Sequence, residues 1–205
     1  MRMQNIPKSE FINNLLYINQ IDKNTFGRWL FYPGMLFGSL ESWWGTGKKR
    51  KSYHEGVDFC HYLDTASMVK LIPSQIKIPV MYDGIIRLIS DDDYLGQTIY
   101  VSHPQYWSET GQVLNTIYAH ASPFKNIKPG SIIKAGKVVS QVIDFEKAGA
   151  KMLRHVHLTM AMISTQSPAS SLKWENMARL QEIQLIAPLG YADCQYSIHK
   201  YFPEH

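Results

Sequence analysis

Cysteine is scarce in this sequence, with only Cys60 and Cys194 among 205 residues. Two cysteines are too few for the disulfide framework of a small stapled domain, and they match no cysteine-based zinc motif. The sequence therefore excludes both classes, while it leaves open whether the two cysteines pair with each other.

Long apolar runs are also missing. No stretch reaches the roughly 18–20 consecutive apolar residues that a membrane-spanning helix needs. Near the N-terminus, residues 11–21 are interrupted by four amide side chains, Asn13, Asn14, Asn19 and Gln20. Because a secretory signal has an uninterrupted apolar core, this segment does not have the pattern of a signal peptide. We expect a soluble chain without a membrane span.

Charge is moderate and only slightly unbalanced. Hydrophobic residues make up 45% and charged residues 19%, an ordinary balance for a chain that buries a core. Part of the net charge of +4 comes from one run, Lys48, Lys49, Arg50 and Lys51. A solvated loop and an attraction to an anionic polymer or surface both remain open for this run. No motif favours nucleic acid as a partner.

The sequence shows no βαβ alternation and no internal repeat. Short segments rich in β-branched and aromatic residues alternate with turn signals, which include Pro33-Gly34, Asp83-Gly84 and Pro129-Gly130. This pattern is typical of an all-β sandwich or barrel. We predict an all-β fold, mainly an antiparallel β-sandwich-like core, with short peripheral helices near residues 10–21 and 173–181.

The predicted elements divide the chain into three parts. Residues 1–26 form an N-terminal arm, residues 27–163 a β domain, and residues 164–205 a C-terminal extension packed on the core. Strands are predicted at residues 28–32, 97–102, 113–119, 131–134, 137–142 and 183–187. Residues 35–39 are predicted to continue the first strand, residues 43–47 with the lysine run to form an exposed loop, and residues 103–111 to form a long loop.

Two histidines stand two residues apart in Arg154-His155-Val156-His157-Leu158-Thr159-Met160, an apolar and β-prone run. Because successive side chains of a strand point to opposite faces, His155 and His157 share one face. Their Cα atoms are then about 6–7 Å apart, at about 3.3 Å of rise per residue. A zinc–nitrogen bond is only about 2.0–2.1 Å long. One histidine can therefore bind a metal while the other lies beside its open position.

His54 and Asp58 supply further candidate ligands. Residues four apart in an extended segment lie on one face, and Gly56 between them would let the backbone bend so that both side chains converge. Imidazole nitrogen and carboxylate oxygen are ordinary zinc ligands, and three protein ligands with one water make a catalytic zinc site. His54, Asp58 and one of His155 and His157 would complete this set.

Three motifs, in this order, resemble those of the lysostaphin-type zinc metallopeptidases, the endopeptidases that cut peptide bridges in bacterial peptidoglycan. They are His54-x-x-x-Asp58, Tyr118-Ala119-His120 at a predicted strand end, and His155-x-His157. Residues 78–86 and 128–139 are similar to the strand–turn–strand and the hairpin that lie between the family's motifs. The resemblance covers residues 50–163, and the combination is far more specific than any single motif.

The resemblance implies a zinc-dependent metalloendopeptidase that hydrolyses peptide bonds of peptidoglycan stems or cross-bridges. It implies that His54, Asp58 and His157 bind one Zn²⁺ ion. His120 and His155 would be the catalytic histidines, which hold the attacking water and pass on its proton. A zinc groove in an antiparallel β core is implied too, as is a place in the cell envelope, the periplasm or outside the cell. The choice of His157 over His155 as the ligand comes from the resemblance alone.

One segment departs from the family's pattern. Residues 143–153 stand where the family usually carries a glycine-rich loop, so substrate preference is open. Two alternatives to an active enzyme also remain. One is a non-catalytic relative that binds cell wall or regulates another hydrolase, although no ligand or catalytic histidine has been lost. The other is a structural zinc domain with four protein ligands.

Other chemically active side chains are expected to be structural. Four histidines belong to no motif and are expected to be surface or satisfied structural residues: His61, His103, His199 and His205. Glu55 is expected to point away from the ligands because its neighbour His54 points inward. Four tryptophans are expected to pack in the core and loops, with stacking on a saccharide or peptide as the alternative: Trp29, Trp43, Trp44 and Trp107.

Overall fold

A computed structural model describes residues 5–44, 49–91, 95–145, 148–149, 152–172, 177 and 182–200 of the chain. Across these residues the fold is mainly β with one α-helix, which confirms the predicted fold class. The predicted helix at 173–181 lies outside the described residues, apart from Met177. No helix in the described part is long and apolar enough to cross a membrane. Both cysteines are free.

The first half of the described chain contains the helix and six strands. Helix α1 spans Phe11–Ile18. The strands are β1 (Phe26–Phe31), β2 (Gly56–Phe59), β3 (His61–Asp64), β4 (Val69–Leu71), β5 (Lys77–Pro79) and β6 (Gly84–Asp91). A short 3₁₀ helix, Pro33–Met35, follows β1.

The second half contains seven further strands. They are β7 (Gln97–Trp107), β8 (Gln112–Pro123), β9 (Ile132–Ile133), β10 (Val138–Val142), β11 (Val156–Ser164), β12 (Ile183–Ile186) and β13 (Tyr196–Ile198). Two more 3₁₀ helices span Ala169–Ser171 and Pro188–Gly190.

Two sheets share one hydrophobic core. The larger sheet has nine strands, with β12-β11-β8-β7-β6-β9 as its main path, β2 on β11, and β10 joining β8 to β5. The smaller sheet has the order β13-β1-β3-β4, in which β13 is parallel to β1. Phe59 of β2 joins the sheets, because its ring lies 4.9 Å from that of Trp29 and 5.5 Å from that of Phe31.

The N-terminal arm packs into this core. Phe11 and Leu15 of α1 are fully buried, and the ring of Phe11 lies 6.1 Å from that of Phe59 and 6.3 Å from that of Tyr118. The helix predicted near residues 10–21 is therefore confirmed. The apolar face of α1 packs beside Phe59 of β2, the strand that carries Asp58.

Strand β11 lies between the two strands that carry other candidate site residues. His157 pairs with Asp58 of β2 on one side and with Ala119 of β8 on the other. Directly opposed residues of antiparallel strands have Cβ atoms about 4.5–5.5 Å apart, so this register places Asp58 within reach of His157. The register thus joins three motifs that are far apart in the sequence.

The sequence predicted that a strand ends at His120, but β8 continues past this residue. His120 has φ of 53°, and the strand continues to Pro123. Before this residue β8 pairs with β11 as far as Ala119, and after it Ala121 pairs with Val142 of β10. The left-handed backbone at His120 redirects the strand from one neighbour to another, which is an unusual conformation for a residue with a Cβ.

Two other predictions are corrected. A loop was predicted over residues 103–111, but strand β7 runs to Trp107. The reason is that His103 is fully buried, and its ring hydrogen-bonds with the Asp83 carbonyl and the Thr116 hydroxyl, both at 2.8 Å. Residues 35–39 do not continue β1. The 3₁₀ helix at Pro33–Met35 interrupts it, since proline has a fixed φ and no N–H for a strand ladder.

Candidate metal centre

Three side chains converge where β2 meets β11. His54, Asp58 and His157 each offer one ligand atom, and these atoms lie within 4.8 Å of one another. His54 Nε2 is 3.4 Å from Asp58 Oδ1 and 3.4 Å from His157 Nδ1. Two tetrahedral ligands at about 2.0–2.1 Å from zinc would themselves be about 3.3–3.4 Å apart. The third separation, 2.7 Å between His157 Nδ1 and Asp58 Oδ1, is that of a hydrogen bond.

Gly56 allows β2 and β11 to approach closely at this point. A Cβ on Gly56 would lie 2.5 Å from the Leu158 carbonyl oxygen, 2.6 Å from His157 Nε2 and 2.6 Å from Thr159 Oγ1. Any larger residue would push the two strands apart and separate the candidate ligands. The sequence singled out this glycine as a site of bending, whereas the space between the strands is what requires it.

Backbone carbonyls orient three of the site histidines in the same way. Each Nδ1 lies near a carbonyl oxygen: that of His54 is 3.1 Å from Leu36, that of His120 is 2.9 Å from Leu95, and that of His155 is 2.9 Å from Leu153. Because a carbonyl oxygen only accepts hydrogen bonds, the Nδ1 of each ring carries a proton. In the neutral form, the Nε2 of each ring therefore keeps a lone pair that can bind a metal or accept a proton.

His157 is oriented in the opposite sense. Its Nδ1 faces Asp58, while its Nε2 lies 2.9 Å from the hydroxyl of the fully buried Thr159. A partner on the second ring nitrogen fixes the tautomer and orientation of a metal-binding histidine. The ring thus offers Nδ1 to the cluster, and Thr159 holds it there.

The second carboxylate oxygen of Asp58 faces a different part of the chain. The indole N–H of Trp43 donates to Asp58 Oδ2 at 2.7 Å, and a guanidinium nitrogen of Arg50 lies 3.6 Å from the same oxygen. Trp43 is only 7% exposed, although residues 43–47 were predicted to be an exposed loop; residues 45–47 lie outside the described part. No spacing rule in the sequence links Trp43 to Asp58, so this contact could not be predicted.

The electrostatic environment keeps the carboxylate of Asp58 ionised. Burial alone would raise its pKa, but the nearby rings of His54 and His155 and the hydrogen bond to His157 more than offset this effect and hold the pKa well below its usual value. An ionised carboxylate among imidazoles is the charge state that a divalent cation requires of its ligands.

His155 and His120 lie beside the cluster. His155 Nε2 is 3.7 Å from Asp58 Oδ1, and the His120 ring lies 4.8 Å from that of His155 and 6.3 Å from that of His157. Phe145 packs against both, with ring centres 5.2 Å from each. The structure thus brings all five predicted site residues together, and His120 is the one among them that retains partial exposure.

Burial keeps these two histidines neutral. Burial lowers the pKa of His120 to about 3, with a further contribution from His155 and His157. The pKa of His155 is also lowered by burial, which the charge of Asp58 opposes. Neutral imidazole is the form that accepts a proton.

Other side chains singled out by the sequence lie outside the cluster. Glu55 is buried, and burial raises its pKa while nearby His157 lowers it; its carboxylate is not in the ligand group. His103 is a satisfied structural histidine, as expected, and Trp29 is fully buried in the core. Trp107 is 47% exposed, and His205 lies outside the described residues.

No protein-family profile and no curated protein sequence matches the chain. Solved structures similar to it include LytU, with a TM-score of 0.41 and 13% identity, over 76% of this chain and 80% of that one. CbpA from L. salivarius REN has a TM-score of 0.46 and 16% identity, over 82% and 94% of the two chains. Lysostaphin has a TM-score of 0.35 and 19% identity, over 58% and 40%. With every identity below 20%, the function is inferred from the site and the motifs.

Proposed function

We propose that this chain is a zinc-dependent metalloendopeptidase that hydrolyses peptide bonds in peptidoglycan stems or cross-bridges. The observation that carries the proposal is the convergence of two histidines and an aspartate, His54, Asp58 and His157, with His120 and His155 beside them. The substrate class comes from the resemblance of the three motifs to those of lysostaphin-type peptidases.

The donor atoms fit zinc. His54 Nε2, Asp58 Oδ1 and His157 Nδ1 would hold the ion, since two imidazole nitrogens and a carboxylate oxygen form a common catalytic zinc set. Among the described residues the ligand group has three members, which favours a catalytic site over a structural site with four protein ligands. When bound, zinc would polarise the scissile carbonyl and lower the pKa of water to about 7.

His120 and His155 would manage the protons. Their Nδ1 atoms are occupied by the carbonyls of Leu95 and Leu153, so each can accept a proton only at Nε2. One of these Nε2 atoms would take the proton of the attacking water, and the other would help to hold that water and to pass a proton to the departing amine, so both histidines are needed. A positioned base of this kind typically contributes about 10²–10⁴-fold to the rate.

We also propose the domain limits that the sequence predicts. We place the peptidase domain at residues 27–163, with the arm before it and a C-terminal extension at 164–205. Strand β12 of the extension pairs with β11, and β13 pairs with β1, which supports packing of the extension on the core.

The non-catalytic alternative is not favoured, because all five site residues are retained.

Digestion of purified peptidoglycan tests the proposal. After the glycan strands are cut with a muramidase, we expect mass analysis to find muropeptides with newly formed amino termini, which disappear with a chelator and return when zinc is added back. Asp58→Ala should lose bound zinc and cleavage, whereas Asp193→Ala, at an exposed aspartate outside the site, should keep both. Cleavage that is insensitive to the chelator would contradict the proposal. Wall binding without cleavage would favour the non-catalytic alternative.

A further inference from the structure

We propose that Trp43 is a positioning residue that limits Asp58 to one metal-facing oxygen and thereby sets the coordination number and metal preference of the site. This inference rests on the metal site proposed above and adds a residue that none of the three motifs contains. It concerns the described residues 41–44 and 49–50, which precede the His54 motif.

The two oxygens of Asp58 have separate surroundings. Oδ1 lies 2.7 Å from His157 Nδ1 and 3.4 Å from His54 Nε2, so it faces the ligand group. Oδ2 accepts the indole N–H of Trp43 at 2.7 Å. A hydrogen bond of this length to an ionised carboxylate is a strong one. This hydrogen bond holds Oδ2 away from the metal position, so that only Oδ1 remains to bind the metal.

Packing fixes the indole in this position. The Trp43 ring meets the Trp44 ring edge to face at 5.6 Å and the His155 ring at 5.1 Å. On either side of Trp43, Glu41 forms a β-bridge with Lys49. The donor is therefore preorganised, and its orientation does not depend on a bound metal.

Arg50 also contacts the segment that carries Trp43. Its guanidinium donates to the Glu41 carbonyl at 3.1 Å and to the Gly34 carbonyl at 3.0 Å, and it lies 4.3 Å from the centre of the Trp44 ring. Its position 3.6 Å from Asp58 Oδ2 adds positive charge on the side of the carboxylate that faces away from the ligands.

A carboxylate that has lost this donor would be free to bind through both oxygens. Bidentate binding raises the coordination number and suits Mn²⁺, which favours oxygen-rich octahedral sites, better than tetrahedral Zn²⁺. Removing a hydrogen-bond partner of a metal ligand typically weakens metal binding about 10–100-fold. Loss of the indole N–H should therefore weaken zinc binding more than manganese binding.

The test compares Trp43→Phe with Trp107→Phe, at a tryptophan that is 47% exposed and outside the site, in the full-length chain. Phenylalanine keeps an aromatic ring at either position, but only the first change removes the donor to Asp58. Metal-free preparations are titrated with Zn²⁺ and Mn²⁺ against a competing chelator, and with Co²⁺, whose visible absorption weakens as coordination number rises. We expect Trp43→Phe to bind zinc about 10–100-fold more weakly, with weaker Co²⁺ absorption. Trp107→Phe should match the wild type.

Each outcome has a defined meaning. Zinc affinity and a Co²⁺ spectrum in Trp43→Phe equal to those of the wild type would overturn the role of Trp43 while leaving the metal site intact. A wild-type chain that binds no zinc would instead overturn the proposed function itself. A merely structural role for Trp43 would weaken zinc and manganese binding equally and leave the Co²⁺ spectrum unchanged, which also counts against the inference.

A measurement on the wild type covers the case in which Trp43→Phe fails to fold. The indole N–H of Trp43 should exchange slowly with solvent in the zinc-loaded protein, and much more slowly than that of Trp107, which is 47% exposed. Equal exchange rates for the two indoles, followed by NMR, would refute the hydrogen bond to Asp58 and the inference with it.

Discussion

His103 links protonation to the stability of the fold. Its ring is fully buried, with Nδ1 near the Asp83 carbonyl and Nε2 near the Thr116 hydroxyl, both at 2.8 Å. Burial lowers the pKa of His103 from 6.5 to about 4. Because the unfolded chain binds the proton more tightly than the folded chain, stability is greatest above pH 6.5 and falls as the pH decreases toward 4.

The size of the effect follows from the two pKa values. The difference between 6.5 and about 4 is equivalent to about 3.4 kcal/mol, at about 1.36 kcal/mol per pKa unit. Most of it lies between neutral and mildly acidic pH, and the linkage relation gives a loss of about 2 kcal/mol between pH 7 and pH 5. This loss is large relative to the free energy of unfolding of a typical domain, about 5–15 kcal/mol.

The assay measures urea unfolding at pH 7 and pH 5 for the wild type, His103→Gln and His199→Gln. Glutamine at 103 can keep a donor and an acceptor but does not titrate. We expect the wild type to lose about 2 kcal/mol more stability between the two pH values than His103→Gln does. His199→Gln, at an exposed histidine, should follow the wild type. Equal pH dependence in the wild type and His103→Gln would refute the reasoning.

Two further predictions concern the supports of the ligand group. Gly56→Ala should destabilise the fold by at least about 1–3 kcal/mol and reduce zinc binding, since its Cβ would lie 2.5 Å from the Leu158 carbonyl oxygen. Gly190→Ala, where a Cβ would meet nothing within 4 Å, is the control; equal melting temperatures and zinc contents for the two variants would contradict this account. Thr159→Val should weaken zinc binding about 10–100-fold, because it removes the partner of His157 Nε2, and Thr159→Ser should restore it. Chelator competition measures both, and wild-type affinity in Thr159→Val would show that Thr159 does not orient the ring.

Local rules predicted much of the fold. Turn signals and alternation located most strands, and the last one, predicted at 183–187, is β12 at Ile183–Ile186. The same-face rule for residues four apart correctly anticipated that His54 and Asp58 converge. These predictions succeeded because they depend only on the geometry of a single extended segment.

Contacts between distant segments were not predictable in this way. The bond from Trp43 to Asp58 depends on how a loop folds over β2, and the switch of β8 from β11 to β10 depends on the left-handed backbone of His120. Strand β7 runs past the predicted end at residue 102, where the buried ring of His103 contacts the Asp83 carbonyl and the Thr116 hydroxyl, both in other parts of the chain. In each case, tertiary packing decides a conformation that the local sequence disfavours.

The assignment of His157 to the metal and of His155 to proton transfer remains a prediction. The geometry supports it, because His157 Nδ1 lies in the ligand group, whereas His155 Nε2 is 3.7 Å from Asp58 Oδ1 and outside that group. Both histidines are buried, and each →Ala change removes the same imidazole ring. The two variants are therefore well matched.

Bound zinc and peptidoglycan cleavage, measured on the same preparations of His155→Ala, His120→Ala and His157→Ala, test the central claim most directly. We expect the first two variants to retain one zinc per chain and to lose about 10²–10⁴-fold in turnover, because each lacks a proton acceptor. His157→Ala should lose zinc and cleavage together. Full activity in His155→Ala, or loss of zinc in His120→Ala, would contradict the roles given to these histidines.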